Sequence, residues 1–173
     1  MSKRDLKKYL ESLDKIQIAA QLLELYDKFG DVKTYYDFVF NPKEEKLIGE
    51  AKAKISNEYF PTKSRRAKLR RSTAQKYIKH FVTLGVEPNA LADLMLFNIE
   101  TAQKYSAKRE MRYNSFYKSM LNSFEQAVQF IVTNGLLPDY KKRLAAIKAE
   151  AVRQRWENHD AFSQVIESLE WES

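Results

Sequence analysis

A chain of 173 residues, 44% hydrophobic and 13% aromatic, is long enough for one domain that hides roughly 70% of its unfolded surface, and too apolar for disorder. It has no cysteine and only two histidines, His80 and His159, which excludes disulfide frameworks, thiolate metal sites and cysteine nucleophiles. No apolar run reaches the roughly 18 residues that span a bilayer, so a cytoplasmic protein without membrane contact is expected. The formal net charge of +7 is concentrated: residues 61–80 hold eight Lys or Arg and no Asp or Glu, while the flanking stretches are close to neutral.

Glycine and proline number four each and fall almost entirely between apolar-periodic segments, where they act as punctuation. The reading is all-helical. Ser2 predicts the cap of a short first helix through Tyr9 or Leu10, with Asp5 reaching back in a capping box. Ser12 or Asp14 opens a longer helix whose buried stripe is expected to be Leu13, Ile16, Ala20, Leu23 and Phe29, ended by Gly30. A brief aromatic helix follows, Val32 to Phe40. Asn41 and Pro42 then read as cap and first residue of a fourth helix, which carries Glu44 and Glu45 in its first turn and stops before Pro61.

The basic run from Lys63 to Lys79 feeds a fifth helix with Ala74, Tyr77, Ile78, Phe81 and Val82 on one side, closing at Gly85. Pro88 begins a sixth, whose nearly continuous apolar window ALADLMLFNI predicts a central position in the core. A seventh is expected from about Arg112 to Thr133, with Phe116, Met120, Phe124, Val128 and Ile131 inward. Pro138 opens an eighth reaching Trp156, and a break at Asn158 to Asp160 precedes a last helix bearing Phe162, Val165, Ile166 and Leu169.

VTLGVEP at 82–88 and VTNGLLP at 132–138 match at Val, Thr, Gly and Pro with an offset of fifty. Each predicts a turn in which glycine takes the left-handed position and proline starts the next helix. Two such turns suit stacked antiparallel hairpins of a HEAT-like kind, although any helix–turn–helix can converge on Gly-x-x-Pro. The expected architecture is one all-α domain over residues 1–173, eight or nine helices packed as antiparallel hairpins, with the basic segment 61–80 joining two helical halves.

The strings SKRDLKKYL, NPKEEKLI, EYFP, KLRRSTAQK and ADLMLF, spread over roughly the first hundred residues, resemble a family of small uncharacterised bacterial proteins known only as a domain of unknown function. The resemblance implies a bacterial cytosolic source and an all-helical fold. It carries over no activity, cofactor or catalytic residue.

Motifs for chemistry are absent: no glycine-rich phosphate loop, HExxH, serine elbow or paired CxxC. Asp93 and Glu100 lie two turns apart on one helix, roughly 10 Å at 1.5 Å per residue. They could serve as an acid pair, or more simply meet cations from a neighbouring helix. Aromatic stripes at helical spacing are core material far more often than stacking platforms. Only Tyr59 and Phe60, abutting the basic run, join ring chemistry to positive charge.

The candidate binding surface is therefore Lys63, Arg65, Arg66, Lys68, Arg70 and Arg71, flanked by Tyr59 and Phe60. Cations ahead of a helix N-terminus are unfavourable beside the positive end of its dipole, so an anion should offset them. That anion is either internal, with Glu44, Glu45, Glu58, Asp93 or Glu100 facing Arg70 and Arg71, or external, as nucleic-acid phosphate or an acidic protein surface. The expected function is a non-enzymatic binding or adaptor protein with a protein partner and no cofactor. The alternatives are sequence-indifferent nucleic-acid binding through residues 63–71, with a salt slope of about −5 if all six cations meet phosphates, and an enzyme using Asp93 and Glu100.

Overall fold

The computed structural model describes residues 2–63, 66–109, 111 and 113–170. These residues form nine helices and no strand, so the chain is all-α as expected. Packing groups it into two compact units, Met1–Lys43 and Glu44–Ser173, and the basic segment lies inside the second. Among the described residues no helix is long and apolar enough to cross a membrane.

The first unit holds α1 (Lys3–Glu11), α2 (Lys15–Lys28) and α3 (Gly30–Phe40). Both predicted caps form. The Ser2 hydroxyl accepts from the Asp5 amide while the Asp5 carboxylate accepts from the Ser2 amide, and Asp14 and Gln17 repeat the arrangement at α2, satisfying amides that have no partner within the helix. Gly30 starts α3 rather than merely ending α2, because Phe29 serves as the last residue of one helix and the first flank of the next. The Gln21 amide donates to the Tyr9 hydroxyl at 2.7 Å, and the Tyr26 hydroxyl donates to Asp37 at 3.0 Å.

The expected burial of the α2 stripe does not occur. Leu13 is half-buried, but Ile16 is 80% exposed, Leu23 66% and Phe29 50%, and Ala20 is exposed as well. None of the three helices has a buried residue. Periodicity marks a face as apolar; it takes neighbouring elements to cover that face.

The second unit holds α4 (Glu44–Tyr59), α5 (Arg71–Leu84), α6 (Pro88–Ser106), α7 (Asn114–Thr133), α8 (Leu137–Arg153) and α9 (His159–Glu170). Asn41 and Pro42 precede α4 instead of starting it, since the Asn41 amide closes α3 on the Asp37 carbonyl. The predicted start of α7 at Arg112 lies outside the described residues. Helix α6 is the axis, as its nearly continuous apolar window predicts: it packs against α4, α5, α7 and α8 and buries residues on every side, including Leu91, Leu94, Leu96, Ile99 and Ala102. The extensively packed pairs are all one or two places apart in chain order, the neighbour-to-neighbour pattern of stacked hairpins. Trp156, Phe116, Phe124 and Phe162 make a second focus of the core, with ring centroids 4.9–5.6 Å apart along the chain of contacts.

The fifty-residue echo is a structural one. Gly85 and Gly135 take φ of +73° and +69°. In each turn the glycine amide donates three residues back, to Val82 or Val132, and the next amide donates five back, to Phe81 or Ile131. This is the Schellman pattern that satisfies the last carbonyls of α5 and α7. A third copy follows α8, where the Arg155 amide donates to Val152 and the Trp156 amide to Ala151. Here Arg155 occupies the left-handed position at φ +53°, which explains why the helix ends before Trp156 rather than reaching it.

Candidate binding site at the basic segment

Helix α4 ends where Pro61, lacking an amide proton, cannot continue it, and the chain then makes a loop whose two ends meet at Glu58. The Thr62 amide donates to the Asn57 side chain at 3.2 Å. The Lys68 and Leu69 amides donate to the Glu58 carbonyl at 2.9 and 3.1 Å. Leu69 adopts a left-handed φ of +54°, a conformation that a non-glycine residue holds only when its surroundings fix it. Residues 66–70 are consequently not a backward extension of α5.

The Glu58 side chain is the internal anion. It is 6% exposed, and it accepts from Arg70 Nη2 at 2.8 Å, Arg70 Nε at 3.1 Å, the Arg70 amide at 3.3 Å and the Thr73 hydroxyl at 3.0 Å. Arg70 flanks the start of α5 and has no side chain able to cap it; the Glu58 carboxylate supplies the negative charge that this helix end favours. Hydrogen bonding from Arg70, against the opposing effect of burial, holds the Glu58 carboxyl below its ordinary value, and Glu58 in turn raises the Arg70 guanidinium. Arg71 Nε donates to the Ser123 hydroxyl on α7 at 3.2 Å.

Of the six predicted cations, then, Arg70 and Arg71 have partners within the protein, Arg70 in Glu58 while its own side chain stays 56% exposed, and Arg71 in Ser123. Lys63, Arg66 and Lys68 are exposed on the loop. Arg65 lies outside the described residues.

Tyr59 and Phe60 diverge. Tyr59 is buried, and burial pushes its phenol well above the ordinary range, whereas Phe60 is 42% exposed. Between the ends of α4 and α6 lies a cavity of about 370 Å³ lined among the described residues by Tyr59, Phe60, Ala67, Tyr105, Lys108 and Arg109, together with Pro61. The Tyr105 ring sits 5.7 Å from Phe60 and 6.0 Å from Tyr59. The Arg109 guanidinium stands over Tyr105 at 5.4 Å, within cation–π range. Tyr105, Lys108 and Arg109 carried no sequence signal, since nothing local to residues 105–109 says that they face residues 59–67.

Asp93 and Glu100 are brought together by Arg143 of α8. Its Nε and Nη2 donate to Glu100 at 2.6 and 2.9 Å, its Nη1 donates to Asp93, and Lys52 of α4 closes on Asp93 from the other side. Burial favours the protonated Asp93, but the bonds from Lys52 and Arg143 outweigh it and leave the carboxyl below its ordinary value. The pair thus meets cations from neighbouring helices and ties α4, α6 and α8 together. Among the described residues no group of three His, Asp or Glu could hold a metal ion.

A broader apolar groove of about 650 Å³ lies between α5 and α7, with Ile78, Val82, Met95 and Phe130 on its walls.

A family model for a family of unknown function, DUF6155, matches residues 1–170. No curated protein and no solved structure matches the chain.

Proposed function

For this chain, which belongs to the DUF6155 family of unknown function, we propose the role of a non-enzymatic interaction module that engages a protein partner through the apolar helical faces of residues 1–43. One observation carries the reading. Of the fifteen large hydrophobic side chains that are exposed among the described residues, eleven lie in this quarter of the chain. On α2 they include Ile16 and Leu23, which with Ala19 and Ala20 form a stripe at helical spacing. Scattered apolar residues are ordinary on a protein surface, but contiguous ones mark interaction sites. The absence of catalysis is part of the proposal, supported by the engagement of Asp93 and Glu100 with Arg143 and Lys52.

The test is affinity capture from an extract of the source cells, comparing the unaltered chain with one carrying Ile16→Asp and Leu23→Asp. The unaltered chain is expected to retain a protein that the double variant loses, with the same melting temperature for both. Identical captured sets, or none, would overturn the proposal.

A second reading, sequence-indifferent nucleic-acid binding through residues 63–71, is favoured by the exposure of Lys63, Arg66 and Lys68 on a loop tied at its base. With Arg70 paired to Glu58 and Arg71 bonded to Ser123, at most four cations of the segment meet phosphates, and the salt slope falls from about −5 to about −3.6. A titration across a salt series reads that slope directly; affinity independent of salt would remove this reading.

A further inference from the structure

We propose that the cavity between the ends of α4 and α6 is a nucleotide site, in which a base lies against the Phe60 ring and a phosphate meets Lys108 and Arg109. Its lining residues all belong to the second unit, and the inference does not rest on the role proposed for residues 1–43. At about 370 Å³ the cavity falls in the range of small-ligand sites, roughly 300–1,000 Å³, and its lining has the two components such a ligand needs. The first is a ring platform. Tyr59 and Tyr105 are buried and packed on each other, and they present Phe60, the one ring of the three that is substantially exposed. An exposed ring packed against a buried one, as Phe60 is against Tyr105, can stack a base of any identity.

The second component is charge. Among the described residues no carboxylate forms an ion pair with Lys108 or Arg109. Glu58, adjacent to Tyr59, is turned to Arg70 and Thr73. Arg109 is oriented by its contact over Tyr105, which leaves the donors of its guanidinium for an anion, in the bidentate geometry that suits phosphate. Ala67, from the loop that carries Lys63 and Lys68, forms part of the wall, so a strand leaving the cavity would enter the positive field of that loop.

Base plus phosphate is common to a free nucleotide and to a unit of a single strand, and two probes separate them: adenosine monophosphate, followed by calorimetry, and a short labelled oligodeoxyadenylate, followed by anisotropy. Both are measured on the full chain and on Phe60→Ala, Lys108→Gln with Arg109→Gln, and Lys63→Gln with Lys68→Gln. Phe60 is on the surface, so its loss should leave the melting temperature unchanged and weaken binding roughly tenfold or more. Binding of the mononucleotide, weakened by the Phe60 and Lys108/Arg109 variants, identifies the free form; binding of the strand alone, weakened by the same variants, identifies a strand. Failure of the unaltered chain to bind either probe overturns the site. So does strand binding that survives Phe60→Ala but falls with Lys63→Gln and Lys68→Gln, which would assign contact to the loop alone and leave the second reading above standing.

Discussion

Residues 2–43 and residues 44–170 are both built from helices that carry apolar residues at helical spacing, yet among the described residues only the second set has an interior. Every described buried side chain, from Ile48 to Phe162, belongs to the second. The two sets differ in how many helices surround any one of them. Helix α6 has four packing partners and buries apolar residues on every side; α2 carries Leu22, Leu23 and Leu25 in close succession but leaves those side chains 38–66% exposed. Chains of about 40 residues rarely support a core alone. An apolar stripe is thus a property of one helix, whereas a core is a property of its neighbours, and the surplus on α2 is what supports an interaction role.

The largest test of the contrast compares Trp156→Ala with Leu23→Ala. Trp156 is 1% exposed and touches Phe116, Tyr117 and Phe162; its truncation should cost about 3–5 kcal/mol, as large aromatic losses in cores do. Leu23 should cost within about 0.5 kcal/mol, like other surface changes. Urea denaturation of both variants measures the gap. A comparable loss at Leu23 would mean that α2 has an interior after all.

The next effect sharpens the contrast from the polar side. Glu58→Ala removes the anion that the loop and α5 share, and should cost about 2–3 kcal/mol, the scale of charge-assisted bonds to a buried group. The same residue sets a pH dependence. Its folded carboxyl titrates below the ordinary value of 4.5, so its contribution to stability is complete above that pH and is lost as pH falls through the folded value. Asp93, also lowered, adds to the same acid loss. Denaturation midpoints measured from neutral pH down to the acid transition should fall more steeply for the unaltered protein than for Glu58→Gln; parallel curves would exclude Glu58 as the source.

What was legible in the sequence follows from range. Ser2 with Asp5, Asp14, Gly85, Pro88 and Gly135 act on backbone groups within five residues, and each occupies the capping or turn position that the sequence assigned to it. Helix α6 was legible as central because its composition leaves few polar side chains to face water. The exposed stripe of α2 was not, because a helical period does not say how many neighbours arrive. Asn41 and Pro42 misled because Asn41 can close one helix as readily as open the next. At the site, a partner for Arg70 was expected among five carboxylates, and only the folded loop selects Glu58. Lys108 and Arg109 carry no local signal because they join Phe60 at one cavity only through the packing of two helix ends some fifty residues apart.

The smallest predicted effect concerns the three Schellman turns of the second unit. Two use glycine; the third places Arg155 at φ +53°, where a side chain is disfavoured by roughly 1 kcal/mol or more. The hydrogen bonds from residues 155 and 156 are 2.9 and 3.0 Å, as short as those of the glycine turns, and Trp156 is seated just beyond. Strain is therefore borne by the backbone of Arg155 while the contacts it makes possible are intact. Arg155→Gly removes that strain but gives the unfolded chain more freedom, by about 0.4–1 kcal/mol. The two terms nearly cancel, and the net should be a gain of a few tenths of a kcal/mol, against a clear loss for Gly85→Arg or Gly135→Arg, which add the same strain without relief. Thermal denaturation of the three variants reads the asymmetry. Equal losses at all three positions would show that the side chain of Arg155, rather than its backbone conformation, holds the turn that buries Trp156.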